Sequence, residues 1–411
     1  MSKPNTEDIP QHFNGLLHKI AKEQNFVNYD LNVQPCSSGG ANYTSKLYTV
    51  ILSEGENVLH MFAKIAAIGE KMRAQAPKVY DTERYCYTKL INIYDKIQND
   101  HHVPDEHRLA FCKYYGSNPK LFEETIVLEN LVWAGYDAFD RFKSVDWPYA
   151  SSAVEELAKM HAISFAHGVY YPEDFKKVMD EFCFDWNMTD EAMQLHVDNV
   201  VSRACKLVDE NHKDKFAKFF EFVFDSPKNF SEKYKKSRRP VLGHGDYRPS
   251  NLMHKQLDDG KLDIKIVDLQ TLQGGSPVTD LIYFIFTGSD EQFRAKYYDK
   301  LIDHYYTQLS AAMRRLNLDP ENTFSREDFD FELKEKLPFG LTLAVFTLPV
   351  ITVDSQDAPE VNEDLEISNF AVEKTSELYA ERLNGVVNDY VKWGILDHCV
   401  EQMEEARRSR V

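Results

Sequence analysis

The chain of 411 residues is short of positive charge: 48 Lys and Arg stand against 66 Asp and Glu, a net charge of −18. Phosphate backbones and anionic membranes are held by basic surface, so the deficit argues against a nucleic-acid partner and against docking on a membrane. Cysteine is sparse. Its six residues, at 36, 86, 112, 183, 205 and 399, form no C-x-x-C pair and no His/Cys cluster of zinc-site spacing. The opening M-S-K-P-N-T-E-D-I-P contains no apolar signal region. The expectation is cytoplasmic residence with reduced thiols, where the sequons at Asn42, Asn187 and Asn229 carry no consequence. Internal repeats and low-complexity linkers are missing too. So are a Walker A string, a G-x-G-x-x-G loop and a G-x-S-x-G elbow, which argues against a P-loop NTPase, a protein kinase and an α/β-hydrolase. The triplet A-P-E does occur at 358–360, but ninety residues beyond Asp268, too far for its place in a protein kinase. Residues 337–353 are uncharged, yet the run is short of the roughly 20 residues of a membrane span. Pro338, Gly340 and Pro349 interrupt it, and it reads as a buried core helix.

What is present is ample core material: 43% of residues are hydrophobic and 13% aromatic. At roughly 150 residues per domain, the length fits two or three domains, or one enzyme of two lobes. The first 28 residues look like a polar lead-in with a short helix. Residues 46–52 and 58–65 are rich in branched and aromatic side chains and flank S-E-G-E-N, a hairpin pattern with Gly55 at the turn. Cys86, Leu90, Ile93 and Ile97 recur at helical spacing, which predicts a helix over about 79–98. T-I-V-L-E-N-L at 125–131 is strand-like. Helical patterns dominate beyond it, as at 153–166, where Val154, Leu157, Ala158, His161 and Phe165 share a face. A β-rich island interrupts at 240–270. The expected layout is α+β and bilobal: an extension at 1–28, a small β-rich N-lobe at 29–131 and a large, mainly helical C-lobe at 132–411.

The sharpest local signal is V-L-G-H-G-D-Y-R-P-S-N-L-M at 241–253, with Asp246 five residues before Asn251. Seventeen residues after Asn251, I-K-I-V-D-L-Q puts Asp268 at the end of an apolar strand. Phosphoryl transfer needs such a set. One carboxylate orients the attacking hydroxyl and accepts its proton, while an amide oxygen and a second carboxylate hold Mg²⁺ on the nucleotide phosphates. An ATP-binding lobe should lie upstream. Gly39 and Gly40, in C-S-S-G-G-A-N-Y-T-S at 36–45, could let backbone N–H groups approach phosphates. Lys64 lies within the apolar strand F-A-K-I, and Glu83 lies on the apolar face of the next helix; each supplies the other's missing charge.

With these pieces in order, the chain resembles the insect ecdysteroid kinase-like family, small-molecule kinases related to choline kinases and aminoglycoside phosphotransferases with a protein-kinase-like fold. The resemblance runs from about residue 30 to about 400. It is carried by G-G-A-N-Y-T-S (39–45), F-A-K-I (62–65), T-E-R-Y-C-Y (82–87), V-L-E-N-L (127–131), K-M-H-A-I-S-F-A (159–166), H-G-D-Y-R-P-S-N-L-M (244–253), I-V-D-L-Q (266–270), P-V-T-D-L-I-Y-F (277–284) and L-A-V-F-T-L-P-V (343–350). It implies Asp246 as catalytic base, Asn251 and Asp268 as Mg²⁺ ligands, Lys64 on the α/β-phosphates of ATP and Glu83 holding that lysine. It also implies a hinge for adenine in the backbone from Glu129 to Leu131, and Asp280 as a brace of the catalytic loop. E-N-L and D-L-Q stand where the family more often has E-D-L and D-F-Q, mild departures that keep the backbone contacts and the metal-binding acid. Arg248 and Pro249 look more like the protein-kinase catalytic loop. Arg248 is expected either to stabilise the transferring phosphoryl group or to bridge a neighbouring acid. His161 reads as a hydrogen-bonded core residue, His244 as a backbone brace and Tyr247 as packing. The implied substrate is a hydroxyl of an ecdysteroid or another lipophilic alcohol, with no protein partner indicated. A cationic alcohol of the choline or aminoglycoside type is the alternative, as is a catalytically silent ligand-binding fold.

Overall fold

The computed structural model describes residues 9–37, 39, 42–182, 190–225, 236–372 and 374–409. The chain begins with helix α1 (Gln11–Glu23), followed by strands β1 (Asp30–Cys36), β2 (Ser45–Glu54) and β3 (Asn57–Ala66). Helices α2 (Glu70–Gln75), α3 (Val79–Tyr85) and α4 (Ile91–Asp100) come next, then β4 (Tyr114–Asn118) and β5 (Thr125–Glu129). These five strands form an antiparallel sheet in the order β1-β2-β3-β5-β4. The expected hairpin is β2–β3. The helix expected over about 79–98 runs without a break from Val79 to Asp100, with a π-helical turn at Cys86–Leu90 joining α3 to α4. Such turns accommodate an extra residue and concentrate at functional sites.

The lead-in helix is part of this unit. Phe13, Leu17, Ile20 and Ala21 of α1 are fully buried against Val50, Leu52, Met61, Ala63 and Val127 of the sheet. The apolar residues recur at three- and four-residue spacing, so one stripe of the helix closes one face of the sheet.

The remainder is mostly helical: α5 (Trp147–Tyr170), α6 (Pro172–Glu181), α7 (Glu191–Leu207) and α8 (Lys213–Asp225), then α9 (Pro277–Gly288), α10 (Glu291–Arg315), α11 (Pro320–Thr323), α12 (Arg326–Lys336), α13 (Pro338–Thr352), α14 (Glu377–Lys392) and α15 (Ile395–Ser409). The β-rich island supplies short strands: β7 (Val241–Gly243), β8 (Leu252–Gln256), β9 (Leu262–Ile266) and β10 (Gln273–Gly275). β7 pairs with β10, and β8 pairs with β9 and with the two-residue strand β6 (Asp137–Ala138). The architecture is α+β and bilobal. One cluster of apolar residues runs through α5, α9, α10, α13 and α14 and forms the main core.

The uncharged run is α13, packed between α9 and α14 and mostly buried. Pro338 starts it, where a missing N–H costs nothing, and Pro349, expected to interrupt it, sits inside its last turn. Among the described residues no single helix is long and apolar enough to cross a membrane; α12 and α13 pass that test only as a pair, bent by 54°.

Because α1 closes a face of the sheet that carries Lys64, Leu17→Ala is expected to lower stability by about 2–5 kcal/mol, the usual range for truncating a fully buried leucine. Urea unfolding followed by fluorescence measures it, and a loss below about 0.5 kcal/mol would show that α1 is only appended.

Candidate active site

Lys64 sits on β3, where alternation turns its side chain off the sheet toward α3. Its Nζ donates to Glu83 Oε1 at 3.0 Å and Oε2 at 2.9 Å, and to Asp268 Oδ1 at 2.5 Å. All three side chains are shielded from solvent. Burial alone would push Lys64 toward its neutral form, but the carboxylates of Asp268 and Glu83 outweigh it and hold the ammonium well above its ordinary pKa. Burial pushes the Glu83 carboxyl up, and the like charge of Asp268 keeps it there against the pull of Lys64. Burial opposes ionisation of Asp268 too, yet Lys64 and then Arg248 bring its carboxyl below the usual range. Sequence reasoning found the Lys64–Glu83 pair and placed Asp268 elsewhere, as a metal ligand; the structure adds Asp268 to the pair.

Asp268 takes a left-handed backbone conformation, φ +64° and ψ +56°, uncommon for a residue other than glycine. It lies just beyond β9, and its neighbour Gln270 donates to Asp268 Oδ2 at 3.3 Å. Gln270 Oε1 in turn accepts from the Thr44 hydroxyl at 3.0 Å. Tyr80 on α3 donates to the Thr44 carbonyl, so the helix that carries Glu83, the start of β2 and the Asp268 turn are tied together. Neither Thr44, Tyr80 nor Gln270 was singled out from sequence. A hydroxyl, a phenol and an amide with no periodic signature gave no signal.

The catalytic-loop candidates converge beside this cluster. Asn251 Nδ2 donates to the Asp246 carbonyl and to Asp246 Oδ2, both at 2.9 Å. Arg248 Nε donates to the same Oδ2 at 3.1 Å, so Arg248 does bridge the neighbouring acid. The Tyr283 hydroxyl reaches the Asp246 carboxylate as well. Burial, and then that negative charge, push its pKa far up, which keeps it a neutral donor. The loop itself is braced from beneath. Asp280 at the start of α9 accepts from the His244 and Gly245 amides at 2.7 and 2.9 Å and meets His161 Nε2 at 3.1 Å. Burial raises Asp280, but the His161 bond and charge outweigh it and lower its pKa. His161 Nδ1 also meets the Tyr305 hydroxyl at 2.6 Å, and His244 spans the Asp246 amide and the Val267 carbonyl at 3.2 and 2.9 Å. Tyr247 is fully buried and donates to the Ala153 carbonyl. Gly245 has φ +81°, and a Cβ there would lie 2.2 Å from the Thr271 carbonyl oxygen, so only glycine lets the loop pass.

Two upstream expectations meet a different geometry. Gly39 has φ +62°, but its N–H is already donated to the Ser37 hydroxyl at 3.1 Å. Its carbonyl is pinned by Arg141 at 2.9 Å and Ser355 at 2.7 Å, two residues that sequence reasoning missed. Gly40 lies outside the described residues, as do Asn187 and Asn229 of the sequons. In the expected hinge, the Glu129 amide is donated to the Lys113 carbonyl and the Asn130 amide to the His60 carbonyl. Only the Leu131 N–H of that stretch has no acceptor among the described residues.

Among the described residues, no group of three or more His, Cys, Asp and Glu forms a protein-only metal cage. The donor set on hand is one amide and one carboxylate, which suits Mg²⁺, an ion that takes one or two protein ligands and fills the rest with waters and phosphates. The geometry fits it in one respect: Asp246 takes the Asn251 NH₂ group, so the amide oxygen is the atom left for a cation.

The sequence model of the ecdysteroid kinase-like family matches residues 39–318, and the chain belongs to that family. No curated protein matches the sequence. Among solved structures, the wild-type aminoglycoside 2'-phosphotransferase-IIIa in complex with GDP is 12% identical over 93% of this chain and 98% of its own, with a TM-score of 0.46. An aminoglycoside phosphotransferase solved with GDP and kanamycin is 9% identical over 82% of this chain and 90% of its own, at a TM-score of 0.44. Likenesses this distant say nothing about the substrate of this chain.

Asp280→Asn should weaken the loop brace. A carboxyl whose folded pKa lies below its unfolded value of 3.8 contributes stability that is present above about pH 4 and lost as pH falls through the folded pKa. The stability gap between the parent protein and the variant is therefore expected to be largest near neutral pH and to close below pH 4. Urea midpoints across pH 2–7 measure it, and a pH-independent gap would overturn the assignment.

Proposed function

We propose that this member of the ecdysteroid kinase-like family is an ATP-dependent phosphotransferase acting on a hydroxyl of a neutral, lipophilic small molecule, an ecdysteroid or another hydroxylated lipophile such as a dietary toxin. The observation that carries the reading is the convergence of Asp246, Asn251, Asp268, Lys64 and Glu83, from four separate stretches of chain, into two adjoining hydrogen-bonded clusters, tied by the Val267 amide on the Asn251 carbonyl.

In this mechanism Arg248 and Asn251 fix the Asp246 carboxylate through Oδ2, and that carboxylate takes the proton of the acceptor hydroxyl. The freed oxygen forms a bond to the γ-phosphorus as the bond between that phosphorus and the β–γ bridging oxygen breaks, and ADP departs. Lys64, kept charged by its two carboxylates, neutralises phosphate oxygens of the nucleotide. Asn251 and Asp268 would hold Mg²⁺, which supplies further neutralisation of those oxygens.

The choice of a neutral over a cationic alcohol rests on charge near the base. Arg248 is bonded to Asp246, and Arg141 lies close enough for the two guanidinium groups to lower the pKa of Arg141 after its own burial. Tyr43, lying near both arginines, adds an apolar ring. A quaternary ammonium or an aminoglycoside would be repelled by both guanidinium groups, against the attraction of Asp246 and, at Arg141, of Asp354 and Asp140.

Asp246→Asn is expected to cut turnover of an alcohol by about 10²–10⁴-fold while leaving ADP binding intact. The panel for the parent enzyme should contain steroid and plant alcohols beside choline and kanamycin. Undiminished transfer by the variant would remove Asp246 as base, preferred turnover of the cationic acceptors would replace the neutral substrate class, and ligand binding without transfer would favour a silent fold.

A further inference from the structure

We propose that residues 353–370 form a strap laid by the helical half onto the N-lobe, and that Ser355 on it is a positioning residue which, by holding the Gly39 carbonyl, slows the departure of the nucleotide. The proposal rests on the phosphotransferase reading above for the ligand, a nucleotide bound between the two lobes.

The strap leaves the end of α13 and reaches the N-lobe at three places. The first is the turn between β1 and β2. There the Ser355 hydroxyl donates to the Gly39 carbonyl at 2.7 Å. Arg141 donates to the same oxygen at 2.9 Å and also to the Ile351 carbonyl in the last turn of α13. The second is Tyr43, just before β2. Its hydroxyl donates to the Val350 carbonyl at 3.3 Å, and its ring meets Phe370 edge-on at 5.2 Å. The third is the link from β3 to α2. A Cβ at Gly69 would lie 2.1 Å from the Glu363 carbonyl oxygen, so two backbones touch there with no room for a side chain. Beside that contact Lys71 pairs with Glu366 at 3.1 Å. Leu365 and Ile367 are buried in one apolar cluster with Ile68 and Met72 of the N-lobe and with Met193 and Val197 of α7. Past the strap, Arg203 of α7 donates to the Ala371 and Val372 carbonyls and holds it to the helical half.

The two ends of the strap are held unequally. At 363–367 it is fixed by buried apolar side chains and a backbone contact. At 355 the side chain is exposed and contributes one hydrogen bond, for which water competes. Local opening draws on segments with few buried contacts, so the Ser355 end yields first. It yields at a turn whose polar groups are otherwise engaged. Gly39 has φ +62°, its N–H is donated to the Ser37 hydroxyl, and its carbonyl takes Ser355 and Arg141. Gly39 moves with the sheet and Ser355 with the helices. A separation of the lobes that frees a nucleotide therefore has to break the Ser355 bond. A turn held in this way is formed before the ligand arrives, and changes to such preorganisation show mainly in the dissociation rate.

The test uses the full-length protein, Mg²⁺ and a fluorescent ADP analogue, whose association and release are followed by stopped flow. Ser355→Ala is expected to release the analogue about two- to fivefold faster at an unchanged association rate, the worth of one exposed hydrogen bond. Ser355→Thr keeps the hydroxyl and should restore the parent rate. Gly69→Ala leaves a backbone conformation open to any residue, φ −86° and ψ −168°, and pushes on the Glu363 backbone at the fixed end; it should speed release by about tenfold. Lys374→Ala breaks the pair with Asp357 at 2.9 Å, touches no contact with the N-lobe and should leave release as in the parent. The two Ser355 variants decide the matter even where Gly69→Ala does not fold. Unchanged release in Ser355→Ala, equal acceleration in Ser355→Thr, or faster association with unchanged release would overturn the proposal. Phosphoryl transfer to an alcohol with unchanged release in Ser355→Ala would overturn the strap and leave the phosphotransferase reading standing. The expected release rates without transfer to any alcohol would do the reverse, and a parent protein that binds no ADP would overturn both.

Discussion

The buried ammonium of Lys64, held between Glu83 and Asp268, is the constraint on which the arrangement of this protein depends. A cation on an apolar strand has to be compensated, and here two carboxylates do so: one from α3, packed beside the sheet, the other from the turn after β9 in the helical half. Removing Lys64 would leave two like charges buried side by side, a costlier defect than removal of an exposed ion pair. The cluster therefore fixes the rotation of α3, the register of β3 and the position of the Asp268 turn at once. The Tyr80–Thr44–Gln270 bonds repeat the same link with neutral groups, so the relation between the sheet and the strand island does not rest on charge alone.

The catalytic loop is held by a different device. Asp280, anchored by His161 beneath the loop, binds two successive backbone amides, and His244 ties the loop to the end of β9. Rigid backbone contacts of this kind fix the position of the Asp246 carboxylate, which in the proposed role of base would not have to reorganise during proton transfer. The lysine cluster holds one positive charge and two negative ones, so on its own it carries an excess of one negative charge. That excess would favour the Mg²⁺ proposed at Asp268 and Asn251, and it accords with the upward push on Glu83.

Much of this was legible in the sequence because buried charge and fixed spacing leave traces. Lys64 in an apolar strand and Glu83 on an apolar helix face each called for a partner, and the five-residue step from Asp246 to Asn251 marked a loop at a strand end. Helical spacing found α5 and the helix that carries Cys86. What could not be read were contacts between residues far apart in the chain that follow no period. Arg141 and Ser355 meet on the Gly39 carbonyl, and Tyr283 reaches Asp246, through tertiary packing alone. The hinge shows the same limit: a strand ending in E-N-L gives the position of the amides, while their acceptors, the carbonyls of Lys113 and His60, come from neighbouring chain segments. Pro349 is the opposite case. Its chemistry argues for a break, but at the last turn of α13 only one backbone bond is lost, and the packing of that helix between α9 and α14 outweighs it.

The net charge of −18 and the arginines near the base act over different ranges. At physiological salt, fields from exposed carboxylates fade over about 8 Å, so the acidic surface discourages polyanions at the exterior and has little influence within the site. Inside, Arg248 is buried on Asp246 and Arg141 is half-buried on the Gly39 carbonyl, where screening is weak. Each guanidinium meets carboxylate: Arg248 the bonded Asp246, and Arg141 the nearby Asp354 and Asp140, which raise its pKa against its burial. On the proposed reading, discrimination among acceptors would come from such side chains placed on the fold, not from the fold itself.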